Sequence, residues 1–527
     1  MRRHLSCALL TIILAMTAAV SAQPELDTTF NLTGKAGLGP GYPMGMAEDA
    51  AVQTDDAIVV VSGCSEQFSI LHPFCLARFT ASGQTDTTFG GTGFIRTDVP
   101  GTTQQGTAYG VAVQADGKIV VAGYVKFRDS MERGVIARYN ANGSLDSGFG
   151  TGGVVIFDIS GTFHDRATEL AIQPDGKILI VGYSAAQTGM SEMFVARLSP
   201  NGTLDEAFGD GGIARTVVKG SSTAGWSIVI QHHGKILIGG NLITPTPSPG
   251  STAYIIAQFN PDGSPDTTWD EDGIKEIETT ALGPETPGIN ALAVQSNDRV
   301  VALGHGNTLY RLMPDGTLDT SFDTDGSRDA LPGGSTPYDL ALAPGGRIMV
   351  VGHNSYQPIS FQVSLFRISR YLPDGAPDPT FSGDGFLEID VVDVWTDAAR
   401  AVALDSQGRA VVAGSSSSQM RFAPWIYPFY SVVRLVAPPA AANVGVSGRV
   451  IRPDGRPVAN AFLTIEGSDG ETGVALTSPF GYYHFANIVT GQNYIISARA
   501  KGLYLAPRQV FVGSEITGLD FISAVPK

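Results

Sequence analysis

GVAVQADGKIVVAG, residues 110 to 123, is two short apolar runs joined by an Asp-Gly turn, and the same pattern returns along the whole chain. The other copies read AAVQTDDAIVVVSG from Ala50, LAIQPDGKILIVG from Leu170, IVIQHHGKILIGG from Ile228, LAVQSNDRVVALG from Leu292, LALAPGGRIMVVG from Leu340 and AVALDSQGRAVVAG from Ala401. Apolar β-branched runs around an Asp-Gly pair predict a β-hairpin. The run Ile119 to Ala122 is apolar on both faces, where a strand exposed on one face would alternate, so it is expected to be buried on both sides.

A second signature sets the spacing: LDTTFN at Leu26, TDTTFG at Thr85, LDSGFG at Leu145, LDEAFG at Leu204, PDTTWD at Pro265, LDTSFD at Leu318 and PDPTFS at Pro377. Its aspartates, Asp27, Asp86, Asp146, Asp205, Asp266, Asp319 and Asp378, are separated by 59, 60, 59, 61, 53 and 59 residues. A fixed period of this size marks a propeller or a solenoid. A third element, such as VIARYNANG at Val135, completes four short strands per repeat. Four strands and seven repeats predict an all-β chain: a seven-bladed β-propeller, whose closure protects its sheet edges. A parallel β-helix uses shorter coils and needs caps that are not evident here. The chain starts on a DxxF segment and its last repeat ends at Ser431 to Leu435 without one, so the N-terminal strand is expected to complete the last blade.

The elements LDxxFGxxG, AVQxDGKIVVAG and ARYNxxG resemble the delta-60 repeat family of bacterial secreted β-propellers over roughly Leu26 to Leu435. A Pro and Ala linker follows, and from Val446 the text VSGRVIRPDGRPVANAFLTIEG turns to alternating strands and Gly or Asn turns. That pattern predicts a small β-sandwich. It resembles the carboxypeptidase regulatory-like domain, with Gly448, Gly455 to Pro457, Gly481, Tyr483, Phe485 and Gly491 at the marked positions. The resemblance implies an accessory, carbohydrate-binding-like or adhesive module without catalysis. The expected layout is a signal peptide at 1–22, a propeller of ~59-residue repeats at 23–437, a linker at 438–443 and the sandwich at 444–527.

Arg2 and Arg3, the apolar run from Leu9 to Val20 and the small residues to Ala22 read as a secretory signal, so the location is secreted or periplasmic. No segment approaches the apolar length of a membrane span. The formal charge is -16, with 34 basic against 50 acidic residues; without Arg2 and Arg3 it becomes -18, which speaks against nucleic acid and acidic membranes. Export permits Cys64 and Cys75 to pair, and closing so short a loop stabilises by roughly 3 kcal/mol on the chain-entropy estimate.

No zinc-peptidase pairing occurs at the histidines, and neither a nucleophile elbow nor a phosphate loop is present, so no catalytic residue, cofactor or metal is assigned. Acidic turns such as DEDG at Asp270 lack the full alternating set of a calcium loop. Residues repeated in nearly every copy read as architecture. The third-strand arginines Arg78, Arg138, Arg197, Arg311, Arg370 and Arg434, with Gln258 in the fourth copy, are expected to pair with the DxxF aspartates.

Function is sought where the copies disagree, on the face of unequal loops. The residues directly after the DGKIVVAG strand are Cys64, Tyr124, Tyr183, Asn241, His305, His353 and Ser415. Of these, Tyr124, Tyr183, Asn241, His305 and His353 are candidate binding residues, joined by Trp425 and Tyr427 from the aromatic cluster Phe422 to Tyr430, which is also read as core or interdomain packing. The expected role is a monomeric secreted binding protein for a glycan or a cell-envelope or extracellular protein. The alternative is a polysaccharide-active enzyme on the same face.

Overall fold

The computed structural model describes residues 25–38, 42, 44–66, 70–99, 101–159, 164–185, 190–244, 251–279, 288–354, 364–391, 396–419, 426–436, 443–467, 472–489, 492–503, 505–512 and 516–523. The expected signal peptide and residues 438–442 of the expected linker lie outside them. The described residues form strands and turns, with no helix among them.

The unit containing the opening stretch shows how the repeat folds. Strands Thr102–Val113, Ile119–Phe127, Glu132–Tyr139 and Val154–Phe157 pair antiparallel in chain order. The first two are joined by a turn in which Asp116 accepts the Lys118 amide at 3.2 Å and Gly117 takes a φ of 81°, a conformation that suits glycine. Ile119 to Ala122 are completely buried, as their two-faced apolar pattern requires. Val121 packs with Val59, Leu76 and Phe89 of the preceding unit, whereas Val120 and Ala122 pack with Ala167, Leu170 and Ile178 of the following one. Alternation along a single strand thus serves two different cores, which is how sheets stacked face to face around an axis are held.

The innermost strands are Asp49–Val52, Thr102–Val113, His164–Ile172, Ser222–Ile230, Ile289–Val294, Thr336–Ala343 and Thr396–Leu404. Each touches the next, and Thr396–Leu404 touches Asp49–Val52 again. The N-terminal segment supplies the outer strand of the last sheet: Lys35–Gly37 pairs antiparallel with Ile426–Arg434, Lys35 opposite Val433 and Gly37 opposite Ser431. Leu26 bridges Leu435, and the Asp27 amide donates to the Arg434 carbonyl at 2.9 Å. The short fifth copy forms a near-minimal hairpin, Val300–Gly304 followed by Thr308–Leu312. Cys64 and Cys75 form a disulfide between adjacent strands.

The repeated arginine and aspartate do pair. Arg138 Nε donates to Asp146 at 2.9 Å, its guanidinium covers the Phe149 ring at 4.5 Å, and its Nη1 donates to the Pro200 carbonyl of the next unit. Arg78, Arg197, Arg311, Arg370 and Arg434 repeat the pair with Asp86, Asp205, Asp319, Asp378 and Asp27. In the fourth copy Gln258 bonds Gln231 at 2.7 Å, and Lys235 takes over the pairing with Asp266. One cation thus satisfies a carboxylate, an aromatic face and a neighbouring carbonyl, which locks adjacent sheets together. Burial pushes the Asp378 carboxyl up, but the Thr380 hydrogen bonds and the charges of Arg370 and Arg347 outweigh it and hold the group below its usual range.

Beyond residue 442 the strands belong to two further sheets. Tyr482–Val489, Asn443–Ile451 and Phe521–Ile522 make one; Thr472–Leu476, Phe462–Gly467, Gln492–Arg499 and Arg508–Val512 make the other. Their shared core holds Val446, Leu463, Ile465, Tyr494 and Ile496, together with Tyr483 and Phe485, which the family resemblance had singled out. Tyr483 donates its hydroxyl to the Leu519 carbonyl at 2.6 Å.

Candidate functional site

The residues that follow the DGKIVVAG sequence in each copy lie level with one another, and all but His305 are inside the second strand, which runs on past the glycine. Tyr124 is opposite Thr107, Tyr183 opposite Arg166, Asn241 opposite Ala224, His353 opposite Thr336, Ser415 opposite Ala398 and Cys64 opposite Gly45. His305 donates its amide to Gly288 at the same level. Tyr124, Tyr183, His305 and His353 are partly exposed, whereas Asn241 and Ser415 are buried and Cys64 is held in its disulfide. Trp425 and Phe422 lie outside the described residues; Tyr427 is in strand Ile426–Arg434, opposite Ser418. Tyr430 is core: it is fully buried and shares a hydrogen bond with Ser62.

A second set of residues completes this level. Six inner strands shift register by one residue, between Ala108 and Gly110, Ala167 and Glu169, Gly225 and Ser227, Ile289 and Ala291, Pro337 and Asp339, and Ala399 and Ala401. The extra residues are Tyr109, Thr168, Trp226, Asn290, Tyr338 and Arg400, and Glu48 stands at this position in the first copy. A bulge re-aims the extra side chain: Tyr109, Trp226, Asn290, Tyr338 and Arg400 are partly exposed, whereas Thr168 is buried and donates to the Val181 and Gly225 carbonyls. All seven stand five residues before the Gln of the AVQ element or its replacement, a position whose chemistry differs in every copy but two. That divergence was the available signal; the bulge that exploits it has no local signature.

The two sets interlock. Tyr109 stacks on Tyr124 with centroids 5.8 Å apart and planes at 21°, and the Arg166 guanidinium lies 4.2 Å from the Tyr124 ring and 5.9 Å from that of Tyr183. Tyr183 packs on Trp226 at 5.8 Å, and Trp226 Nε1 donates to Asn241 Oδ1 at 3.3 Å. On the other side Tyr338 stacks on His353 at 5.5 Å, Arg400 lies 4.2 Å from the Tyr338 ring, and Asn290 bonds His305 Nδ1 at 3.3 Å. Burial, then the nearby Arg400 charge, lowers the pKa of both histidines, so they are neutral near pH 7. Arg166 is anchored to Glu132 at 2.6 Å, and Arg400 approaches Glu48 at 3.6 Å.

One residue deeper stand three carboxylates. An inner strand has a sheet neighbour on one side only, so amides on its free edge need other partners. Asp49 accepts from Ala50 and, at 2.7 Å, from Val111 of the next unit; Asp339 accepts from Leu340 and, at 2.8 Å, from Val402. Glu169 Oε1 accepts from Leu170 at 2.7 Å, and Ser227 performs the same task for Leu292. All three carboxylate residues are half-buried among the strands. Burial raises Asp49 to about 7, with the facing charges of Asp339 and Glu48 adding to it. Burial raises Asp339 to about 6, and burial together with Asp49 lifts Glu169 well above the usual carboxylate range.

These shifts carry a stability consequence. A carboxyl with a raised folded-state pKa costs nothing in acid, where folded and unfolded states are both protonated. As pH rises the unfolded chain ionises first, so stability falls until the folded group ionises too. The melting temperature is therefore expected to decline as pH rises from the ordinary carboxylate range, about 4, through the folded-state values of about 6 and about 7, and Glu169→Gln, which keeps the oxygen that caps Leu170, is expected to flatten that slope in calorimetry. An unchanged slope in the variant would contradict this assignment.

The sheets stacked around an axis, with dissimilar residues gathered at one end of it, define a β-propeller carrying a candidate site at its centre. Residues 114–149, 173–208, 234–268, 295–322 and 344–381, which fall in the second to sixth copies, match the family model described as Domain of unknown function (DUF5122) beta-propeller. Among solved structures the chain is similar to an unknown function protein from Dyadobacter fermentans, at 9% identity and a TM-score of 0.38, over 76% of this chain and 98% of that one. It is also similar to the putative oxidoreductase (glucose dehydrogenase) from Thermus thermophilus, at 12% identity and a TM-score of 0.35, over 60% and 93%. A third, YCF48 bound to D1 peptide, is 10% identical with a TM-score of 0.37, over 76% and 95%. No curated protein matches the chain.

Proposed function

We propose that this is an exported bacterial binding protein whose ligand, a glycan or a cell-envelope protein, seats at the axial end where the copies differ. In this reading the scaffold is a seven-bladed propeller over 23–437, latched by its N-terminal strand, and a β-sandwich over 444–527 is an accessory, carbohydrate-binding-like module. The unbroken succession of inner strands supports the blade number, and the two sheets sharing one core support the sandwich. The basic and apolar start of the chain and the disulfide support export.

One observation carries the reading. Positions that ought to be equivalent hold unlike aromatic, cationic, amide and acidic groups, and these pack against one another across neighbouring copies, Tyr109, Tyr124, Arg166, Tyr183 and Trp226 in one group and Tyr338, His353 and Arg400 in another. Architecture alone repeats its residues, as the Arg and Asp pairs do; a site for one asymmetric ligand does not. Glycan-array and envelope-fraction binding should locate the ligand, and Tyr183→Ala or Trp226→Ala should then weaken it by about tenfold each, with melting curves little changed. Full binding by both variants and by Trp425→Ala would overturn the assignment of this end as the binding face.

A further inference from the structure

The rim of the axial end is uneven. In the first four copies and the seventh the second strand runs two to four residues past the level of the candidate residues, ending for instance at Phe127 after Tyr124 and at Gln419 after Ser415. At about 3.3 Å per residue those walls rise about 7 to 13 Å above it. The fifth copy stops at Gly304, and His305 is already in the turn. That low turn is held in place: the Gly306 amide donates to Tyr254 Oη at 2.8 Å, and Asn307, at a φ of 68°, bonds both the carbonyl and the amide of Leu331, at 2.7 and 2.9 Å.

The polar groups on this low side have a defined direction. Asn290 Nδ2 donates to the Pro337 carbonyl at 2.9 Å, and since a carbonyl can only accept, the amide nitrogen is fixed. The same nitrogen lies 3.3 Å from His305 Nδ1, so Nδ1 accepts and the neutral ring carries its proton on Nε2. A protonated ring would set one N–H against another, which adds to the burial and the Arg400 charge that already keep His305 neutral. One bonded pair of partly exposed side chains thus offers a donor, His305 Nε2–H, and an acceptor, Asn290 Oδ1, neither with a hydrogen-bond partner among the described residues.

Two further features narrow the ligand. Arg166 and Arg400 already face Glu132 and Glu48, so neither stands unmatched for an anion. The free-edge amides of Val111, Leu170, Leu292 and Val402 are capped by side chains, which closes four inner strands to the strand addition that extended peptides use. A sugar hydroxyl donates and accepts at once, and so matches the His305 and Asn290 pair.

We propose that the axial end takes an uncharged linear glycan, which enters across the low turn of the fifth copy and presents hydroxyls to His305 Nε2 and Asn290 Oδ1. This deepens the binding reading above and rests on it. A chain that leaves sideways is held over several sugar units, the nearer ones at the centre and the farther ones above Gly306.

The test is calorimetric titration of the mature full chain with β-1,4-glucose and N-acetylglucosamine oligomers, each as dimer and hexamer, beside hexagalacturonate and an uncharged hexapeptide. One or both neutral hexamers are expected to bind about tenfold or more tighter than the corresponding dimer and than hexagalacturonate. His305→Ala and Asn290→Ala should each weaken the hexamer by about tenfold while the melting transition persists. Inserting Gly-Ser-Gly-Ser between Gly306 and Asn307 raises the low wall, and should weaken the hexamer by a similar factor while sparing the dimer. Hexamer affinity unchanged in all three variants, but reduced by Tyr183→Ala, overturns entry over the fifth copy and leaves the binding face standing. Binding of the peptide or of hexagalacturonate, with neither neutral glycan bound, overturns the ligand class. Absence of binding by every probe, with intact binding of another envelope component that Trp226→Ala abolishes, likewise removes the neutral glycan and spares the binding face; absence of any binding removes both.

Discussion

A chain that begins at residue 42 is expected to lose the stability of the whole ring, with the main unfolding transition falling to well below growth temperature or vanishing. The missing segment is more than an edge strand. Its removal strips Lys35–Gly37 from strand Ile426–Arg434 and takes Phe30, Ala36 and Leu38 out of a core shared with Val60, Ala77, Val411 and Val432. It also deletes Asp27, whose Oδ2 accepts from Arg434 Nε at 2.9 Å and Arg409 Nη1 at 3.1 Å. Phe30 and Leu38 at roughly 1.5 to 3 kcal/mol each, together with a buried guanidinium left without its carboxylate, are comparable with the margin by which most domains are folded. In an open solenoid the same deletion would cost one terminal coil and leave the remainder cooperative. Circular dichroism melting separates the two: a transition that keeps its midpoint and amplitude after truncation would refute closure by the N-terminal strand.

Asp378→Ala is expected to be the most damaging single substitution among the repeated aspartates. Asp378 is fully buried and receives Arg370 Nε at 2.8 Å and Arg347 Nε at 3.0 Å, both guanidiniums being almost wholly enclosed. Removing the carboxylate leaves two buried cations facing one another, and breaking a buried pair costs about 3 to 5 kcal/mol. Asp146, its counterpart in the third-strand pair with Arg138, shares its charge with the partly exposed Lys118, so water can take up some of the loss. Asp146→Ala should therefore cost less, and urea denaturation of the two variants at neutral pH reads the difference. Equal midpoints would show that burial does not set the worth of these pairs. Both losses shrink in acid, because these carboxylates titrate below their usual range and the stability they supply disappears as pH falls through it.

The repeated parts of the molecule were legible because their causes are local or periodic. Gly117, Gly176 and Gly234 mark turns through their positive φ, and the two-faced apolar strand at Ile119 announces burial on both sides. Arg138 and Asp146 reveal their pairing by recurring eight residues apart in copy after copy, and Gln258 shows itself as an exception that Lys235 repairs. The candidate site was half legible. Comparing copies brought out Tyr124, Tyr183, His305 and His353, and the same comparison included Asn241 and Ser415, which the fold buries. It passed over Tyr109, Trp226, Tyr338 and Arg400, which read as ordinary inner-strand positions until a one-residue bulge takes them out of register.

The carboxylates were the least visible. In one dimension Asp49, Glu169 and Asp339 are three unremarked acids in three different repeats, separated by more than a hundred residues at each step. Nothing in the chain between them records that their charges come within reach of one another. Sequence by itself determined the strand, the turn, the period and the ion pairs that tie neighbours together, since each depends on residues within one repeat or the next. Tertiary structure alone decided what gathers at the centre, because that depends on the ring closing and on a one-residue register shift inside each sheet, and closure brings together residues that share only their distance from the axis.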